Sequence, residues 1–399
     1  MKKWFSIAAA VVLSLALVIG IACGGGDGEE EGVETLKFGI GVPMTGAGGA
    51  VAGLPFKWSL EMAEEKIGEF EVGGERYVWD FIVEDDQCNV AGGHASANKL
   101  IYDHGVDFIE YNCSDSGLAA AMITEEIGMI NIIGNCSLFD VGPDLPHTFV
   151  NILIYDLDTP ALFDYIAKEH PEVKRVAVIY NEMKSGLALR DAAKACCDYY
   201  GLEVKSATTP ELVVEYYPVA TKLMAYDPDL VIGSLSLFKV MWELGYEGLS
   251  ASNWWSEAGH GAVPWDKAAG KTFVYQPHPM PEPWPEVAPW AVEYEDRYGV
   301  EVQPGILFGL LLPDYMTQAL EQAGTVTDMD RIIEVLETET FDTAVGPLHF
   351  GGEEIIGIPR ILMQPQPIWK VVGPGEYEVV AQYTAEELEE LANEIYAGR

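Results

Sequence analysis

The chain has 399 residues, 49% of them hydrophobic and 22% charged, which excludes wholesale disorder and gives enough sequence for two domains with cores. Its 63 acidic and 23 basic side chains leave a formal net charge of −40, which excludes a phosphate-seeking surface, since nucleic acid and anionic lipid are repelled. As an acidic coat that keeps an exported chain soluble, the charge names no ligand.

Met1-Lys2-Lys3 precedes a nearly unbroken apolar run from Trp4 to Ala22, and this predicts a secretory signal peptide over residues 1–22. Gly20-Ile21-Ala22-Cys23 puts small residues before a cysteine, so the expected processing leaves Cys23 as a lipid-bearing N-terminus. The alternative is an uncleaved anchor, because the run is long enough to cross a bilayer. Residues 23–34 are mostly glycine and acid and read as a flexible tether. The expected location is extracytoplasmic, reaching the membrane through the lipid only.

From residue 36, β-rich apolar runs alternate with helical periodicity, the pattern of a doubly wound α/β fold. Strands are predicted at 36–42, 77–84, 107–111, 130–133, 175–180, 230–233 and 272–275, and helices at 55–67, 94–103, 117–127, 158–169, 186–200, 214–224 and 238–244. An extended stretch at 150–158, VNILIYDLD, leaves the first group of strands, and the proline-rich 276–284, QPHPMPEPW, interrupts the second. Helices at 287–298 and 304–323 and a β-like segment at 345–350 follow. Two lobes are expected, one from 35–152 plus about 282–342, the other from 153–281 plus about 343–399.

Gly39-Ile40-Gly41 and Gly46 fail the dinucleotide spacing because Met44 occupies the third glycine position. His94, His104, His147, His170, His260, His278 and His349 form no metal-ligand pairing, and no G-x-S-x-G elbow occurs, so no metal, cofactor or catalytic constellation is expected. Besides Cys23 there are Cys88, Cys113, Cys136, Cys196 and Cys197. Cys88 and Cys113 each follow a predicted strand, where neighbouring parallel strand ends come within bonding range. A disulfide is expected there, two buried thiols being the alternative. Cys196 and Cys197 are adjacent on a predicted helix and suit core packing.

Pro43-Met44-Thr45-Gly46, Glu84-Asp85-Asp86-x-Cys88, Cys113-Ser114-x-Ser116 and Val345-Gly346-Pro347-Leu348-x-Phe350 occur in that order. Together they resemble the leucine/isoleucine/valine-binding proteins of ABC transporters. The resemblance implies a type I periplasmic-binding fold: two lobes, three crossover strands and a ligand trapped between the lobes by hinge closure. It maps a carboxylate-binding hydroxyl onto Ser114 and a further one onto Ser116. Cys136 and Ser137 would supply a backbone carbonyl and a hydroxyl to the ligand's ammonium. Glu257 in Asn253-Trp254-Trp255-Ser256-Glu257 would pair with that ammonium, and Trp255 would wall the cleft. Capping of helix N-termini is the competing role for Ser114 and Ser137, and an exposed surface position the competing one for Glu257. A family tyrosine is replaced by Ser185, and another is missing from Gly48–Gly53, so the side-chain pocket departs from that of leucine binders.

The sequence thus predicts a monomeric solute-binding lipoprotein that presents a small amino acid, or a related carboxylate or amide, to an ABC permease. A ligand-sensing lipoprotein with a signalling partner is the alternative, and an enzyme is disfavoured for want of a nucleophile and base.

Overall fold

The computed structural model describes residues 32–397 except 46–48, 135–136, 152–153, 210–214, 254, 256–262, 276–281, 301 and 303. The expected signal peptide and Cys23 lie outside the described residues. Val33–Arg399 forms one compact unit.

Six strands come first: β1 (Val33–Val42), β2 (Phe70–Val72), β3 (Glu75–Asp85), β4 (Phe108–Tyr111), β5 (Asn131–Ile133) and β6 (Thr148–Val150). Then come β7 (Arg175–Asn181), β8 (Glu203–Thr209), β9 (Leu230–Ile232), β10 (Leu249–Ser252) and β11 (Thr272–Val274), and finally β12 (Thr340–Thr343), β13 (Gly346–Gly351), β14 (Ile361–Met363), β15 (Gln366–Gly373) and β16 (Glu376–Tyr383). They form a nine-stranded sheet ordered β12-β13-β14-β6-β5-β4-β1-β3-β2 and a seven-stranded sheet ordered β16-β15-β11-β10-β9-β7-β8. The central strands are parallel. Both of their faces are covered, so β4, β5, β6 and β9 are buried at every residue, as continuous apolar runs require.

Helices lie between the strands where the apolar period lengthens. The helix Val90–Asn98 starts at Asn89, whose side chain accepts from Gly92 N at 2.9 Å. The helices Ser114–Ile127 and Lys184–Tyr200 stop at Gly128 and Gly201, with φ of 67° and 69°, a left-handed conformation that glycine adopts without penalty. In the first lobe, Phe38, Trp79 and Phe108 pack together under the sheet. The helices Val287–Tyr298 and Pro304–Ala323 return to this lobe: Tyr294 donates to Pro55 O at 2.9 Å, and Trp79 Nε1 donates to Thr317 Oγ1 at 2.8 Å.

Two expectations are corrected. The stretch 150–158 is not extended throughout: β6 ends at Val150, Ile154 is extended, and a helix begins at Tyr155; Asp156 and Asp158 in its first turn favour a helix N-terminus there. The final passage to the second sheet comes between β14 and β15, not near 343. β13 pairs antiparallel with β12 and with β14, and β14 joins β6 through Val150 N to Arg360 O at 2.8 Å, so residues 346–363 complete the first sheet. The chain therefore passes between sheets three times, after β6, after β11 and after β14.

Candidate functional site

In open α/β sheets ligands lie beyond the carboxyl ends of the strands. At that edge of the first lobe the separated motifs meet. Asp85 accepts from Met44 N at 2.9 Å, Thr45 Oγ1 at 2.5 Å and Gln87 N at 3.1 Å. Partial burial raises its pKa, but these bonds outweigh the effect and hold the carboxyl below its usual range. Asp86, fully buried, accepts from Ser116 Oγ at 2.5 Å and Cys88 N at 2.8 Å. Here burial wins and the pKa is raised. Gln87 and Cys88 take φ of 51° and 50°, and this bend brings Cys88 to Cys113 with Cα atoms 5.4 Å apart, joined by a disulfide.

Cys113 precedes the helix Ser114–Ile127 and gives it no side-chain cap. Ser114, 4% exposed, is its first residue. Ser116 donates to Asp86 and lies 3.1 Å from Cys113 O, so its hydrogen is committed within the lobe. The two helices on this side approach closely: a Cβ on Gly93 would lie 2.4 Å from Ser116 Cα.

The next loop follows β5, where Gly134 N donates to Tyr111 O at 2.6 Å. Cys136 lies outside the described residues. Ser137 accepts from Phe139 N at 3.3 Å and donates to the carboxylate of Asp156, which also accepts from Leu138 N at 3.1 Å. Burial lifts Asp156 to a pKa of about 6 despite these bonds. Asp140 pairs with Lys184 at 2.7 Å, and Phe139 meets Tyr396 edge-on at 5.4 Å. The loop 137–140 of the first lobe is thus fastened to three helices of the second.

In the second lobe a cavity of about 190 Å³ opens at the carboxyl ends of β7, β8, β9 and β10. Tyr155, Tyr180, Asn181, Ser185, Thr209, Tyr216, Ser234 and Asn253 line it with Ile179 and Leu189. Tight strand-to-helix turns shape it: a Cβ on Gly186 would lie 2.2 Å from Asn181 O, and one on Gly233 2.7 Å from Ile179 Cγ2. Burial raises the Tyr155 pKa, so the phenol stays un-ionised beside Asn253. Larger hollows, about 650 Å³ along Trp284 and Thr343–Pro347 and about 740 Å³ along Glu353 and Glu389, lie away from the parallel-strand ends. The strand-end rule therefore favours the smaller cavity.

Of the residues singled out in the sequence, Ser185 lines this cavity. Ser114, Ser116 and Ser137 stand at the first lobe's edge, their hydroxyl surroundings differing as described. Trp255 is fully buried in a hydrophobic cluster, and Glu257 lies outside the described residues. Tyr155, Tyr180, Thr209, Tyr216, Ser234 and Asn253 were not singled out, although Tyr180, Ser234 and Asn253 sit at or just past an apolar strand run where the strand-end rule points. Among the described residues no group of three or more His, Cys, Asp or Glu side chains could hold a metal.

The sequence signature of the family described as "Periplasmic binding protein" matches residues 35–357. No curated protein sequence matches the chain significantly. A solute-binding protein of an ABC transporter from Rhodopseudomonas palustris BisB5, solved with 3,4-dihydroxybenzoic acid, superposes with a TM-score of 0.74 at 19% identity, over 88% of this chain and 98% of that one. The leucine-binding protein LivK of Thermotoga maritima MSB8 gives 0.70 at 18% identity, over 88% and 99%. An amino acid ABC transporter substrate-binding protein of Pseudomonas fluorescens Pf-5 gives 0.71 at 17%, over 88% and 96%. At such identities the structures share the fold, two lobes of the type I periplasmic-binding kind. By sequence signature and fold together, this chain belongs to the periplasmic binding protein family, that of the branched-chain amino acid ABC binding proteins.

Proposed function

We propose that the chain is an exported, lipid-anchored solute-binding protein that holds a small amino acid, or a related carboxylate or amide, between its lobes and delivers it to an ABC permease without chemical change. The observation that carries this reading is the hydroxyl-rich cavity at the carboxyl ends of the second sheet, with Ser185, Tyr155 and Ser234 in its wall. On the first lobe, Ser114 at the uncapped start of its helix is suited to a carboxylate, which helix-terminal N–H groups favour. Glu257 and the Cys136 carbonyl are assigned to the ligand's ammonium by the family resemblance. Closure about the three passages traps the solute.

A second reading, an aromatic carboxylate, is favoured by one feature. Tyr155, Tyr180 and Tyr216 give the cavity three phenol rings, suited to a flat ligand with few charges.

The test is a thermal-shift screen against amino acids, amides and benzoates. A ligand at about 100 times its dissociation constant stabilises the folded protein by about 2.7 kcal/mol. Stabilisation by an amino acid, weakened in both Ser114→Ala and Glu257→Gln, supports the first reading. Stabilisation by benzoates that Glu257→Gln leaves intact selects the second. No response in any class removes both.

A further inference from the structure

The middle of the first sheet holds an acid that solute binding leaves unused. Glu110, on β4, is fully buried, and neither carboxyl oxygen has a hydrogen-bond partner. Across the sheet Glu110 is in register with Ile132 of β5, and Ile132 with Phe149 of β6. Asn151, two residues beyond Phe149, is on the same face one step nearer the carboxyl edge. Its side chain is 2% exposed, and its amide oxygen and nitrogen are both unpartnered. The Tyr315 hydroxyl, from the helix Pro304–Ala323 on this face, lies beside Asn151 and within electrostatic reach of Glu110, yet closes no well-formed hydrogen bond. Gln364, just after the neighbouring β14, has an orphaned side-chain oxygen.

Such a concentration of buried, unpartnered polar groups is rare, because each forfeits the hydrogen bonds it makes with water in the unfolded chain. Among the described residues the one charge acting on Glu110 is that of Asp86, of like sign. The titratable groups that sense Glu110 are phenols, Tyr111 on its own strand and Tyr315. An ionised Glu110 would be an uncompensated buried charge, costing several kcal/mol. As an acceptor alone it could not serve the amide oxygen of Asn151, whereas a neutral carboxyl donates one hydrogen and accepts others.

We infer that Glu110 is carried as an un-ionised carboxylic acid, a buried proton site whose hydrogen-bonding needs are met with Tyr315 and Asn151 through enclosed water. Burial and the Asp86 charge both push its pKa upward, in the same sense.

Infrared spectroscopy of the full chain tests this. At about pH 8, where ordinary carboxyls and Asp156 are ionised, the protein should retain the C=O stretch of an un-ionised acid, sensitive to deuterium exchange and shifted by carbon-13 labelling of glutamate. Glu110→Gln should remove it. Should that variant fail to fold, the labelled band in the unaltered protein decides alone. Absence of the band overturns the inference. So does stabilisation by sodium or potassium over choline at equal ionic strength that Glu110→Gln abolishes, because the positive charge would then be a bound cation.

Discussion

Replacing Asp156 with asparagine removes a titrating group from the junction of the lobes while keeping a side-chain acceptor in place. Asp156 is 1% exposed, and its pKa rises from 3.8 to about 6 because burial outweighs its bonds to Ser137 and Leu138. At about 1.4 kcal/mol per unit, the gap corresponds to about 3 kcal/mol. Since the folded value lies above the unfolded one, this contribution is fully present below about pH 3.8 and is lost as the pH rises through about 6. Urea unfolding of the protein and of Asp156→Asn across about pH 4 to 7 isolates it, because the other titrating groups cancel in the difference. The wild-type stability should fall relative to the variant by about 2.4 kcal/mol over that range, most of the full gap. A difference that does not change with pH refutes a buried, charge-penalised Asp156.

Three further outcomes follow from the packing. Replacing both Cys88 and Cys113 with alanine opens a loop of sequence separation 25 and should cost about 3–4 kcal/mol by chain entropy, read as a lower melting temperature that reductant no longer affects. A Cβ on Gly309 would lie 1.7 Å from Ser59 Oγ and 2.8 Å from Ser59 Cβ. Gly309→Ala should therefore lose about 1–3 kcal/mol in chemical unfolding, and adding Ser59→Gly should restore most of it; no rescue would place the strain elsewhere. Thr317→Val strands the buried Trp79 Nε1 hydrogen and should cost about 1–3 kcal/mol. A substitution with no effect on the melting temperature would mean that water or another acceptor replaces Thr317.

The fold was legible at β1, β4, β7 and β9, whose apolar runs carry the signal without help from neighbours. β2, β8, β10, β12, β14, β15 and β16 escaped it, and β6 was met only at Val150. Glu203–Thr209 and Glu376–Tyr383 are largely exposed or half-buried, so pairing partners distant in sequence hold them in place. The first lobe's edge was legible in part because Asp85, Asp86, Cys88 and Cys113 form one connected hydrogen-bonded and covalent corner. Ser137 was read as facing a ligand, whereas its hydroxyl meets Asp156, a contact between loops that no local pattern announces. The hydroxyls of Tyr155 and Tyr216 were missed for the same reason: each stands at the start of its own helix, and only the meeting of several strand ends brings them to one cavity.

The late return of the chain to its first sheet governs the order in which the molecule can be made. Arg360, buried, donates to Pro146 O at 3.0 and 2.7 Å across a sequence separation of 214 and lies 4.5 Å above the Phe149 ring. Closing so long a loop costs about 5 kcal/mol in chain entropy. Until β14 has left the ribosome, the β6 edge has no neighbour on that side, and the lobe begun first is completed only just before β15 and β16 complete the second. Neither sheet therefore has its full set of strands until the last part of the chain has been made, so a product truncated before residue 361 lacks the strand that borders β6.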